Sequence, residues 1–322
     1  MNKAEFINSL NTWGQERVPF LFLMDFEMQD AVAYPLSEIN SYDIRYDFQG
    51  FTNDKNDTTL ASLEIQKFPV SFENYSKGFN IVKSHLNRGD SFLTNLTIRT
   101  EIKTGLTLEE LYRVSRARYK FFYRNQFIVF SPESFIQIRD DKIFSFPMKG
   151  TIDASVPNAK EIILKDPKEL SEHITIVDLI RNDLSCVASN VEVTNFRYVE
   201  QLKTHDKNLL QVSTEITGRL EGDYWSRIGT IITSLLPAGS ISGAPKARTI
   251  DIIREVEKRK RGYYTGVCGY FDGEKLDSAV MIRFIENIDG SFYYRSGGGI
   301  TAMSTVKTEY NEAIDKIYVP ID

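Results

Sequence analysis

Four segments of this sequence carry residue types for which a hydrophobic core has no use, at spacings that could do chemistry. The first is Lys149, Gly150 and Thr151, directly after the apolar run that ends in Phe146-Pro147-Met148. Glycine lets a ligand approach the backbone closely and threonine adds a hydroxyl donor. A lysine there can act as a cation or, when unprotonated, as an amine nucleophile. The plain alternative is a strand ending in a turn with a solvated lysine. The second segment is Lys168-Glu169-Leu170-Ser171-Glu172-His173. Glu169 and Glu172 are three apart and share a helix face, and two such carboxylates can hold Mg²⁺ through their oxygens. An acidic first turn favoured by the helix dipole is the alternative. A lone histidine is weak evidence for a metal, so His173 reads as structural or partly exposed.

The third segment, Pro237-Ala238-Gly239-Ser240-Ile241-Ser242-Gly243-Ala244-Pro245-Lys246, places a proline just inside a helix start after glycine and serine. Free N–H groups at such a start suit an anion, although the spacing is not that of a phosphate-binding P-loop and plain capping reads equally well. The fourth is Ser296-Gly297-Gly298-Gly299-Ile300, leading to Glu309, Glu312 and Lys316. Three glycines in a row predict a nest-like turn whose N–H groups can receive a carboxylate. Glu309 and Glu312 again share a helix face, with Lys316 one turn further on; a simple i,i+4 ion pair is the alternative. With Arg283, predicted on a strand, the inventory fits a small substrate bearing two carboxylates. Mg²⁺ would neutralise one, and Arg283 with main-chain donors the other.

The elements that must position these residues are legible as periodicities. Phe20 to Phe26 and Ile44 to Phe51 read as strands within a strand-rich opening stretch, and Asn53 to Thr59 as a loop. Phe72, Tyr75, Phe79, Val82 and Leu86 predict a helix that stops at Gly89-Asp90. Strands are expected at Phe92 to Ile98, Gln126 to Phe130, Phe135 to Ile138 and Lys142 to Phe146, with a helix near Leu108 to Tyr119. Pro167 to Val187 reads as a helix, followed by strands at Val191 to Phe196 and Asn208 to Leu220. Helices at Tyr224 to Leu236 and Ala244 to Lys258 come next. Strands at Gly262 to Phe271, Leu276 to Ile288 and Ser291 to Ser296 precede a last helix from Lys307 to Tyr318. Hairpin-joined strands with helices between groups of them predict an α+β fold with large mixed or antiparallel sheets covered by helices. The expected division is a short N-terminal strand-rich region, 1–70, packed on a catalytic domain, 71–322.

Composition excludes several classes. The 322 residues are 42% hydrophobic, too apolar for a disordered chain. A formal net charge of −5 argues against a nucleic-acid partner. Cys186 and Cys268 are too few for a disulfide framework. The N-terminus does not read as a signal peptide, and no run approaches the roughly 18 to 20 apolar residues of a membrane span. A cytoplasmic enzyme or binding protein is expected.

The motifs GDSFLTNL, SPESF, PMKGT, KELSEHITIVDLIRNDLS, LLPAGSISGAPKARTIDII, YTGVCGYF, AVMIRF and SGGGI with TEYNEAIDKI resemble those of the chorismate-utilising enzymes in order, from about Phe72 to Lys316. Among these they are most similar to the aminodeoxychorismate synthase (component I) group. The resemblance implies a layered α/β/β/α fold of two large sheets. It also implies a conversion of chorismate and ammonia to 4-amino-4-deoxychorismate, which leads to 4-aminobenzoate and folate. Lys149 stands where the anthranilate synthases carry alanine. In the group with lysine that residue is viewed as the nucleophile that attacks C2 as the C4 hydroxyl departs, before ammonia adds at C4 and expels it. Glu133 matches the general acid/base, Glu172 and Glu312 match Mg²⁺ ligands, and Glu169 and Glu309 match their supports. Arg283, Gly297, Gly299 and Tyr270 match residues that hold the enolpyruvyl carboxylate. Gly298, Ser240, Gly150, Thr151 and Lys316 complete the lining.

The tryptophan-pocket motif of larger members is not evident. Leu210 or Gln211 stands where members usually have a histidine, with His205 nearby but out of register. Neither cysteine sits in a G-x-C-x-G nucleophile turn, so ammonia is expected from solution or from a separate glutamine amidotransferase subunit in a heterodimer that could be transient. The alternatives are an anthranilate, isochorismate or salicylate synthase, and a non-catalytic binding protein of the same fold; Lys149 and the four glutamates argue against them.

Overall fold

A computed structural model describes the chain except residues 56, 57, 59, 61, 62, 204–207 and 322, and the side chains of 168, 202 and 203. His205 and part of the expected loop at Asn53 to Thr59 thus lie outside the described residues. The chain divides into two compact units, each drawn from three stretches of sequence. The first unit holds Met1–Ile39, Glu133–Ser240 and Thr265–Val280; the second holds Asn40–Pro132, Ile241–Tyr264 and Met281–Asp322. Residues 1–70 are therefore shared between the two.

Each unit is built on one nine-stranded sheet, counted over the described residues. In the first unit the strands run Ala31–Pro35, Phe20–Met24, Val267–Phe271, Leu276–Val280, Ser134–Arg139 and Lys142–Ser145, each antiparallel to the next. Asn208–Arg219 then carries two partners end to end: Lys142–Ser145 on Ile216 to Arg219, and Met148–Asp153 on Leu209 to Ser213. It also pairs along its length with Ser189–Lys203. The helix Pro167–Ser185 packs on these last three strands.

The second unit's sheet runs Gly243–Ala244, Leu93–Lys103, Ser291–Ile300, Phe284–Ile288, Phe127–Ser131, Tyr119–Tyr123, Ile44–Phe48 and Phe51–Thr52, with Gln66–Phe68 beside Leu93–Lys103. Phe72–Arg88 begins at Ser71, whose hydroxyl accepts from Asn74 N–H, and ends at the left-handed Gly89. Its Tyr75, Phe79, Val82 and Leu86 bury against Leu96, Ile98, Ile252, Ile300 and Ala313. At roughly 1.5–3 kcal/mol per fully buried large apolar side chain, this face holds the helix on the sheet. The expected α+β class with two large, helix-covered sheets is what the chain adopts, and among the described residues every strand pair is antiparallel.

Three local expectations are corrected. The chain opens with a helix, Lys3–Gln15, fixed by a capping box between Asn2 and Glu5 and by burial of Phe6 and Leu10. The expected single strand Leu276 to Ile288 is two strands, one in each sheet, with Arg283 between them at φ +52°. The apolar run AVMIRFI conceals that break. Finally, Gly297 to Gly299 form no turn: they continue the strand Ser291–Ile300, opposite Thr97, Leu96 and Asn95.

Candidate functional site

In the first unit, the strand Met148–Asp153 is bulged. Met148 faces Ser213 and Thr151 faces Gln211, so three steps on one strand match two on the other across Lys149 and Gly150. Gly150 takes φ +80°, a conformation that favours glycine. A Cβ there would come within 3.2 Å of Glu169 Oε2 and 3.3 Å of Ile163. A bulge bends its strand and re-aims the adjoining side chain, and here that side chain is Lys149. Its Nζ lies 3.4 Å from Glu172 Oε2. Glu172 is buried and Lys149 only partly so. The helix bearing Glu169 and Glu172 starts at Asp166, whose carboxylate accepts the Glu169 N–H at 3.0 Å, with Pro167 at the first helical position. Thr151 is exposed.

His173, next to Glu172, is 1% exposed, so the option of partial exposure is excluded. Its Nε2 lies 2.5 Å from Thr214 Oγ1, and that hydroxyl accepts the Arg197 N–H at 3.0 Å. The hydroxyl proton is thereby left for the ring, which is neutral: burial, then the positive charges of Arg197 and Lys149, push His173 down to about 4. Thr214 N–H in turn donates to Pro147 O at 3.0 Å. A buried chain of contacts thus joins the acidic helix to the entry of the lysine strand.

Elsewhere in this unit the Ser240 hydroxyl donates to Glu133 Oε1. Both residues, with Asp183 and Pro147, line a cavity of about 30 Å³. Tyr270 sits within the strand Val267–Phe271, opposite Leu21 and Asp277.

In the second unit, the glycine strand and the last helix, Val306–Asp315, form the other constellation. A Cβ on Gly297 would lie 2.3 Å from Leu96 O, so glycine is required for the strands to approach this closely. The point where a Cβ of Gly298 would stand is 3.5 Å from Glu309 Oε2, 3.5 Å from Glu312 Oε1 and 3.6 Å from Lys316 Nζ. Three charged groups thus converge over one bare backbone position. Lys316 Nζ also donates to Glu312 Oε1 at 2.6 Å and to Gly297 O at 3.0 Å. Glu309 is buried.

The guanidinium of Arg283 stands 5.2 Å from the Tyr318 ring centre. Burial works against its charge, but the oxygens of Tyr294, Tyr318 and Tyr264 more than offset this and raise its pKa further. Its Nε is buried without a hydrogen-bond partner among the described residues, a donor that a ligand carboxylate could take up.

The resemblance noted in the sequence implies Mg²⁺. Among the described residues no group of three or more Cys, His, Asp or Glu is placed to hold a metal ion. Mg²⁺ is commonly bound through one or two carboxylates, with water and substrate oxygens completing six positions. The hard oxygens of Glu309 and Glu312 over the open Gly298 position, and of Glu169 and Glu172 beside the bulge, fit that ion.

Two features have little sequence signal. Tyr264, buried and raised to about 12 chiefly by burial, joins Tyr294 and Tyr318 around Arg283; its ring is 5.8 Å from that of Phe284. Lys83 donates to Thr301 O, Ala302 O and Ser304 O at 3.4, 2.5 and 2.9 Å, clamping the loop between the glycine strand and the last helix. In the sequence Tyr264 is one more aromatic before a strand, and Lys83 looks like any polar-face lysine.

Residues 21–322 match the family described as chorismate binding enzyme, and the chain belongs to that family. An uncharacterised PabA-like protein of Pasteurella multocida is 48% identical over the whole of both chains. The anthranilate synthase component 1 of Arthrobacter globiformis is 33% identical over 72% of this chain and 46% of its own length. The aminodeoxychorismate synthase component 1 of Klebsiella aerogenes is 32% identical over 83% of this chain and 64% of its own. Among the described residues no helix is long and apolar enough to cross a membrane.

Proposed function

We propose that this chain aminates chorismate at C4, forming 4-amino-4-deoxychorismate in a cytoplasmic route to 4-aminobenzoate and folate. The observation that carries the reading is Lys149, an amine at a bulge, its Nζ 3.4 Å from Glu172 Oε2. The anthranilate and aminodeoxychorismate synthase relatives match about equally well, and the amine is what favours the second.

Lys149 Nζ, once deprotonated, attacks C2 as both ring double bonds shift, C1=C2 to C1=C6 and C5=C6 to C4=C5, and the C4 hydroxyl leaves. Glu133 gives that hydroxyl its proton, so that it departs as water; the Ser240 hydroxyl orients the carboxyl for this. Ammonia then attacks C4, both double bonds shift back, and the Lys149 amine is expelled from C2. The sum is chorismate plus ammonia giving aminodeoxychorismate plus water. Arg283, through its free Nε, and Lys316 balance the substrate's carboxylates, with Gly150 and Gly297 to Gly299 leaving room beside the backbone. Glu172 with Glu169, and Glu312 with Glu309, are the carboxylates that would hold Mg²⁺, which would supply charge neutralisation at the ring carboxylate. Ammonia comes from solution or from a separate glutamine amidotransferase subunit.

Incubation of the protein with chorismate, Mg²⁺ and ammonium, read by mass spectrometry, gives aminodeoxychorismate as the main product on this account. Anthranilate or isochorismate as the main product overturns it.

A further inference from the structure

The cavity of about 30 Å³ in the first unit is lined by Glu133, Ser240, Asp183 and Ser145 on its polar side and by Ala238 and Leu235 among its apolar residues. That volume accepts one or two water-sized molecules, whereas pockets for ring-sized ligands run to roughly 300 Å³ or more. The cavity is therefore too small for the cyclohexadiene and of the right size for its co-substrate. Its polar groups are already organised. Ser240 donates to Glu133 Oε1, Ser145 Oγ donates to Phe135 O at 3.2 Å, and Asp183 Oδ2 lies 3.0 Å from where a Cβ of Gly239 would stand. Two carboxylates facing so small a space favour a cation over a neutral molecule.

We propose that this cavity is the ammonium subsite, with Glu133 and Asp183 as the carboxylates that receive NH₄⁺. The inference rests on the amination reading above and supplies what that reading lacks, a route from ammonium to a nucleophile. Glu133, having given its proton to the departing C4 hydroxyl, is a carboxylate at the moment ammonium must be deprotonated. It takes one proton from NH₄⁺, and the NH₃ so formed attacks C4 with its free electron pair. The C4–N bond forms as the C2–N bond to Lys149 breaks, and its electrons return to the lysine. Glu133 ends the cycle protonated, ready for the next hydroxyl. Asp183 holds the cation and takes no proton, which makes it a binding residue with a predicted signature in the ammonium KM alone.

The test is steady-state kinetics with ammonium chloride varied at saturating chorismate and Mg²⁺, then the reverse, on the wild type, Ala238→Val and Asp183→Asn. Two added methyl groups fill the cavity, and the amide keeps the size of Asp183 while removing its charge. Each variant is expected to raise the ammonium KM about tenfold, with the chorismate KM within about twofold. Methylammonium, one carbon larger, is expected to give no methylated product. Asp183→Asn keeps the packing, so it decides the matter if Ala238→Val does not fold. An unchanged ammonium KM in a folded variant, equal rises in both KM values, or ready use of methylammonium overturns the subsite. Failure of the wild type to make any aminated product would instead indict the amination reading itself.

Discussion

Each unit sets a lysine against a glutamate beside a glycine, and the two lysines are held very differently. Lys316 reaches Glu312 along its own helix at 2.6 Å and a strand carbonyl, Gly297 O, at 3.0 Å. Lys149 reaches Glu172 from a bulged strand at 3.4 Å. A doubly tethered ammonium is a fixed charge, suited to balancing an anion. A lysine on a bulge, held at the longer distance of 3.4 Å, is freer to move toward a ligand carbon. On the proposed amination, the nucleophile would belong to the first unit and electrostatic support to the second.

Replacing the two lysines should separate these roles most sharply. Lys149→Ala is expected to lower kcat for amination by about a thousandfold or more, the scale of losing a covalent step. Lys316→Ala should act mainly on the chorismate KM, by about tenfold, the scale of one charge-assisted contact. Equal losses in kcat would erase the distinction. Glu172→Gln keeps the shape of the lysine's partner and removes its charge. It should cost about a hundredfold in Mg²⁺-dependent rate, and wild-type activity should vanish in EDTA. Full activity in EDTA counts against any metal.

Smaller effects test the supports. Lys83→Met leaves three carbonyls without their shared donor, so about 1–2 kcal/mol of stability should go, read by urea denaturation, with the loss of activity concentrated in steps that need Glu309 and Glu312. On the other side, His173 must be neutral when folded. Its folded pKa, about 4, lies below its ordinary 6.5, so the unfolded chain takes up the proton first. Its share of stability is therefore full above pH 6.5 and is lost as pH falls toward 4, roughly 2 kcal/mol by pH 5. In EDTA, to keep metal out of the comparison, His173→Gln should flatten that part of the urea-midpoint profile. An unchanged slope would mean the ring is not held neutral.

The sequence announced the chemistry better than the geometry that aims it. Lys149, the glutamate pairs and Arg283 stand out because they interrupt apolar runs, and the helix Phe72–Arg88 because its apolar stripe, cap and terminal glycine agree. The bulge at Gly150, by contrast, is a relation between two strands, and a run of glycines reads alike as a turn or as a close-packed strand. What decides the latter is the carbonyl of Leu96 opposite Gly297. The break at Arg283 is hidden for a similar reason: the residues before and after it are equally apolar, although they enter different sheets. Tyr264, Thr214 and Lys83 gain their roles only from partners far along the chain.

The most direct test of Lys149 as nucleophile is intact and peptide mass spectrometry of the protein held with chorismate and Mg²⁺ in the absence of ammonium. A mass gain of chorismate less one water, located on the peptide containing Lys149 and absent from Lys149→Ala, is the predicted result. No adduct on that peptide, together with a Lys149→Ala variant that aminates chorismate at the wild-type rate, would contradict it.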